Sequence, residues 1–155
     1  SYCSIILPMK KIFPPAYLLI AIIIQTALHY SLPIACLIEH PNRLWGLLPT
    51  VGCFLTVIYL RYIFHRHDTT IKPFEKSNRL ITNGVYKLSR NPIYLCMAVF
   101  LGGTALLFGT ASPWIVIPLF PLLINRKFIR AEEAMLVETF GDEYLLYKHR
   151  VRRWI

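Results

Sequence analysis

The sequence predicts an all-α integral membrane bundle of about four transmembrane helices, and three observations carry that expectation. The chain of 155 residues is 55% hydrophobic and 16% charged, with a mean hydropathy of +0.49, against roughly 25% charged residues in an ordinary soluble domain. Its charges are clumped, so that three long stretches carry none. Its 17 Lys and Arg, against 8 Asp and Glu, gather mainly in two segments. This composition excludes intrinsic disorder and a disulfide-rich scaffold. It also turns the net charge of +9 into a signature of membrane orientation, with no nucleic acid as partner.

The first span lies in Ile12 to Ile38, 27 residues without a charge between Lys10-Lys11 and Glu39. About 20 apolar residues at 1.5 Å each cross a hydrocarbon core of roughly 30 Å, so residues 12–30 suffice. No small-residue cleavage site follows a short apolar region here, and the segment reads as a retained span. The second span, 44–64, is charge-free from Leu44 to Leu60, and Arg61 can snorkel to the interface. From Asn91 to Asn125 there are 35 uncharged residues, which as one helix would measure about 52 Å. They must fold back. Gly109-Thr110-Ala111-Ser112-Pro113 supplies the punctuation, with Ser placed to cap the following helix. A helical hairpin of spans 92–109 and 113–129 results, followed by a cytoplasmic helical extension, all in one membrane domain, 1–155.

Orientation follows from the cationic connections. Seven Lys and Arg lie between Arg61 and Arg90 and seven more from Arg126 onward, whereas Arg43 stands alone between spans one and two and the Gly109 turn has none. Both termini and the central loop are therefore expected on the cytoplasmic side, where the charge can also attract anionic lipid. Gln25 and His29, polar groups at membrane depth, are expected to hydrogen-bond to neighbouring helices. Cys3, Cys36, Cys53 and Cys96 have no C-x-x-C spacing and read as free thiols. The His65-Arg66-His67-Asp68 cluster reads as an interfacial, solvated end of span two, because nothing completes a zinc set. No metal is expected.

Polar groups crowd two segments at the cytoplasmic ends of the spans. In Asn78 to Tyr94, Gly84 permits a turn with positive φ, Pro92 suits the first turn of a helix, and Asn91 is placed to cap it. An anion approaching that helix start would meet free N–H groups, the positive end of the dipole and Arg90. In the second segment, Asn125, Phe128, Glu132, Met135 and Leu136 share one face of a continued helix. Glu132 thus sits on an otherwise apolar stripe, where a carboxylate is costly unless it meets a cation. Glu133 falls on another face, within i,i+3 reach of Arg130. Gly141 reads as a helix C-terminal residue and Asp142 as the N-cap of a last short helix.

Gly-Val-Tyr-x-x-x-Arg-Asn-Pro-x-Tyr at Gly84 to Tyr94, Glu132-Glu133, Phe-Gly-Asp-Glu-Tyr-x-x-Tyr at 140 to 147 and Arg-Val-Arg-Arg-Trp at 150 to 154 resemble the isoprenylcysteine carboxyl methyltransferase family, related to phospholipid methyltransferases. The resemblance covers about 69–155. It implies an integral membrane enzyme using S-adenosyl-L-methionine, with cofactor contacts on Asn78, Arg79, Leu80, Ile81, Tyr86, Arg90, Asn91, Pro92, Ile93, Tyr94 and Glu132. Asn78 and Asn91 stand where many members have His, and Phe128 where the family has a substrate-binding Arg. Arg126 or Arg130, with Glu133, are then the acceptor-side candidates. The donor carries a sulfonium, an ammonium and a carboxylate, so its pocket wants an acid such as Glu132, a cation such as Arg90, and aromatic walls such as Tyr86 and Tyr94. Methyl transfer to a carboxylate needs positioning and exclusion of water more than a general base, and no acid or base is assigned. Three functions stay open: carboxyl O-methylation of a prenylcysteine-like or other lipophilic or lipidated acid; N-methylation of a phospholipid or small lipid, with Glu133 or His149 taking the proton; and a membrane protein without catalysis.

Overall fold

The computed structural model describes residues 13–66, 80 and 82–155, with the backbone alone at 61 and 63–66. Its elements are α1 (Pro14–Ser31), α2 (Leu47–Arg66), α3 (Pro92–Phe108), α4 (Val116–Ile124), α5 (Arg130–Phe140) and α6 (Asp142–Arg150). Among the described residues there is no strand. A π-helical turn, Asn125–Ile129, joins α4 to α5, so helix runs unbroken from 116 to 140. Among the described residues one helical stretch, Asn42–Leu60, is long and apolar enough to cross a membrane, and the apolar Pro92–Phe108 is shorter.

Proline and glycine set the boundaries where their backbone chemistry requires. Pro92 opens α3 at its first turn, and Gly109 closes it with φ 71°, its N–H donating to Ala105 O; that left-handed conformation suits glycine. The chain reverses there and α4 packs back on α3. The α1–α2 connection is laced to this turn, with Leu37 N–H donating to Gly109 O at 2.8 Å and Ala111 N–H to Ala35 O at 2.9 Å. Three expected caps are replaced. Ser112 opens a 3-10 turn, Ser112–Ile115, and its hydroxyl donates to Leu28 O of α1 instead of capping a helix. Asn91 precedes α3 but its side chain caps nothing, because Nδ2 donates to Arg153 O at 3.2 Å. Gly141, at φ 53°, is both the end of α5 and the residue before α6, so Asp142 lies inside the last helix.

The core lies between α1, α3 and α4, from Ala21, Met97, Leu101, Val116, Phe120 and Ile124, and continues through Phe128 and Ile129 towards Tyr94. Gln25 is fully buried within it, its amide donating to Leu101 O at 3.0 Å and Pro113 O at 3.3 Å and accepting from the Thr104 hydroxyl at 2.7 Å. His29 Nδ1 meets Thr110 Oγ1 at 2.8 Å and its ring stacks on Phe108. Both polar residues of the first span thus bind neighbouring segments; such bonds are worth about 1 kcal/mol each in an apolar setting. On the other face of α3, Gly103 admits α2 and its preceding turn: an added Cβ would lie 2.9 Å from Gly46 O and 3.1 Å from Pro49 Cγ, and against Thr50 Oγ1. Cys36, Cys53 and Cys96 are free thiols, Cys53 buried and Cys36 exposed. The His65–Asp68 cluster lies outside the described side chains.

Candidate cofactor and acceptor site

The π turn decides which side chains meet. In a regular helix Asn125 and Glu132 would share a face; one residue more in the turn rotates everything beyond it by about 100°. Asn125 therefore lines up with Glu133, and both bind one side chain, Arg153. Phe128 and Glu132 keep their common face towards α3: the Tyr94 hydroxyl donates to Glu132 Oε1 at 2.7 Å, and the Tyr94 and Phe128 rings are 6.4 Å apart. Tyr17 of α1 meets Phe128 edge-on at 5.3 Å.

Glu132 is half-buried among these rings. Burial pushes its carboxyl above the usual carboxylate range, and the Tyr94 hydrogen bond opposes that shift. Burial also raises the Tyr86 phenol, with Tyr147 and then Glu132 as further causes. Tyr86 itself sits in the 3-10 turn Gly84–Lys87, which Gly84 opens at φ 65°. The Tyr147 hydroxyl pins that turn, donating to Tyr86 O at 2.6 Å; Tyr147 is pushed up to about 12, first by burial and then by Tyr144.

Glu133, one residue on, has different surroundings. It is 6% exposed and lies between two guanidinium groups. Arg153 grips it with both prongs, Nε to Oε1 at 2.9 Å and Nη2 to Oε2 at 2.6 Å, while Arg90 Nη1 reaches Oε1 at 3.1 Å. Arg90 Nη1 also lies 3.5 Å from the Tyr144 hydroxyl. Arg90 Nε is buried and has no hydrogen-bond acceptor among the described residues. The expected Arg130–Glu133 pair is not formed: Arg130 is exposed, and the turn of register hands Glu133 to partners from other segments. Arg126 is exposed as well.

The other expected contacts divide plainly. Pro92 and Tyr94 are buried, Ile93 packs on the core, and Leu80 and Asn91 are half-buried. Asn78, Arg79 and Ile81 lie outside the described residues. Sequence reasoning missed Arg153, Tyr144 and Tyr147 as parts of this site. The only signal was their place in the 140–154 motifs, since nothing in their spacing says that residues 151–155 return to Arg90.

Together these observations define a helical protein with apolar outer faces, whose buried ion pairs collect where the α3–α4 hairpin meets the α6 tail. A family model described as phospholipid methyltransferase matches residues 41–143, and the chain belongs to that family of methyltransferases. It is similar to protein-S-isoprenylcysteine O-methyltransferases, 35% identical over 79 residues to that of Schizosaccharomyces pombe (49% of this chain, 32% of the relative). The corresponding Saccharomyces cerevisiae protein is 33% identical over 117 residues (68% and 47%). An uncharacterized Haemophilus influenzae protein is 40% identical over 63 residues, 41% of this chain and 100% of its own length. The resemblance to this group of methyltransferases expected from the sequence is thus shown. The chain spans about a third to a half of the named methyltransferases it matches.

Proposed function

We propose that this protein is a multi-pass membrane methyltransferase that moves a methyl group from S-adenosyl-L-methionine to the carboxylate of a lipophilic acid, such as a prenylated cysteine. The observation that carries the reading is the pair of adjacent acids in opposite settings. Among the described residues Glu132 is held by Tyr86, Tyr94 and Phe128 and partnered by the Tyr94 hydroxyl, and a carboxylate in such a place favours a cation. Glu133 instead serves Arg90, which keeps a buried N–H without an acceptor among the described residues.

These residues fit the donor. Glu132 with its aromatic neighbours suits the sulfonium and ammonium end, and Arg90 with the start of α3 suits the carboxylate. The donor supplies an electrophilic methyl group. The chain's own part is to bind, orient and exclude water. A carboxylate acceptor has no proton to lose, so no general base is required, and Glu133 is held by two guanidinium groups in any case. Arg126 and Arg130, exposed at the cytoplasmic end of the proposed fourth span, are placed to recruit an anionic acceptor.

The four-span, inward-facing topology is part of this proposal. Exposed apolar side chains cover the outer faces of α1, α2 and α4, including Leu19, Ile23, Phe54, Leu55, Leu119 and Leu122; soluble monomers rarely expose such patches. The cationic segments put the site on the cytoplasmic side. A lipid-tailed acceptor would then enter sideways from the bilayer and the polar donor from water. The family description supports a second reading, N-methylation of a phospholipid amine, for which His149, exposed on α6, is the remaining proton acceptor of the two considered.

Transfer of labelled methyl to a panel of lipid acceptors tests this. A prenylcysteine product that releases methanol in base is expected; a base-stable product on a lipid amine would select the second reading. Absence of saturable S-adenosylhomocysteine binding would sink both.

A further inference from the structure

We propose that Arg153 is a positioning residue for the methyl donor: by taking both oxygens of Glu133 it leaves Arg90 with a buried N–H and a unit of positive charge for the donor's carboxylate. The inference rests on the donor site described above and adds the return of segment 151–155 to it.

Three contacts sew this segment to the start of α3. Arg90 N–H donates to Arg152 O at 3.1 Å, and Ser89 Oγ and Asn91 Nδ2 both donate to Arg153 O at 3.2 Å. Trp154 packs against the core beside them. The Arg153 guanidinium is thereby delivered to Glu133 and Asn125, which hold Nε, Nη2 and Nη1 between them.

The charge balance makes this contact more than a structural brace. Among the described residues two guanidinium groups share one carboxylate, so the cluster carries a net positive charge. A brace alone needs one cation for one anion, and a buried surplus charge is costly unless an anion offsets it. Arg153 keeps its side chain 31% exposed to solvent, so the buried, incompletely partnered cation is Arg90. Its side chain is 8% exposed, its contact with Glu133 is single-pronged at 3.1 Å, and its Nε has no acceptor among the described residues. Without Arg153, Glu133 is free to take Arg90 in a two-pronged pair. That pair is neutral and uses the donors that an incoming carboxylate requires. Arg153 therefore acts through Glu133, and its removal should be felt only by ligands that carry a carboxylate.

Calorimetry of the full chain in detergent tests this with two ligands: S-adenosylhomocysteine and its decarboxylated analogue, which keeps the ammonium. Arg153→Ala is expected to weaken S-adenosylhomocysteine about tenfold to a hundredfold and to leave the analogue within about twofold of wild type. Arg153→Lys should restore part of the loss, because it returns the charge without the fork. An unchanged S-adenosylhomocysteine affinity in Arg153→Ala, or an equal loss for both ligands, overturns the positioning role while wild-type binding upholds the donor site. If the wild type binds neither ligand saturably, the donor site itself fails and this role with it.

Discussion

Adjacent acids on a helix point about 100° apart, and in this chain that angle separates two kinds of chemistry. Glu132 faces Tyr94 and Glu133 faces Arg90 and Arg153. Because burial raises the Glu132 carboxyl above its ordinary value, the fold favours its neutral form more than the unfolded chain does. Its contribution to stability is then present below the ordinary carboxylate value and is lost as pH rises through the raised one. An ionised carboxylate in this setting is a cost that a bound cation offsets. Glu132→Gln should accordingly melt no lower than wild type at neutral pH, while S-adenosylhomocysteine binding weakens about tenfold or more. Equal affinity in the variant would remove Glu132 from the site. Wild-type affinity should also decline on acidification before an ordinary carboxylate would titrate. The apolar stripe made Glu132 legible in the sequence. The partners of Glu133 were not, because they come from 43 and 20 positions away and no local period records them.

Between elements, two backbone features decide the packing. The α2–α3 contact depends on the missing side chain of Gly103, which faces Gly46 O, Thr50 and Pro49, whereas an added Cβ at neighbouring Gly102 would meet nothing within 4 Å. Small residues of this kind let helix backbones approach closely. Gly103→Ala should lower stability by about 1–3 kcal/mol through overpacking, and Gly102→Ala should leave it unchanged or raise it by up to about 1 kcal/mol through helix propensity. Thermal unfolding in detergent distinguishes them; equal effects would remove the close approach as an explanation. The second feature is the π turn at Asn125–Ile129. Hydrophobic spacing predicted a continuous helix through this region, and helix is found from 116 to 140, but the extra residue in the turn moved Asn125 to the Glu133 side. Apolar periodicity cannot register a single inserted residue when the flanking positions are apolar on several faces. The caps shifted for a related reason: Ser112 and Asn91 found tertiary acceptors, Leu28 O and Arg153 O, in place of local ones.

For the whole molecule, the proposed topology places the Gly109 turn and the α1–α2 connection on the side opposite α6. A variant whose single cysteine is the exposed Cys36 should react with a membrane-impermeant maleimide from the outside of intact cells. A cysteine-free background carrying Arg150→Cys should react only after permeabilisation. Labelling of both from one side would overturn the four-span arrangement. Charge-free runs, glycine and proline punctuation and cationic segments are local quantities, so the sequence by itself determined the helical class, the hairpin at Gly109, the Glu132 position and, through its motifs, the family. The return of residues 151–155, the Arg90–Glu133–Arg153 cluster and the pinning of Tyr86 by Tyr147 were decided by tertiary structure alone, because each joins segments distant in the chain through side-chain geometry that a local pattern does not encode.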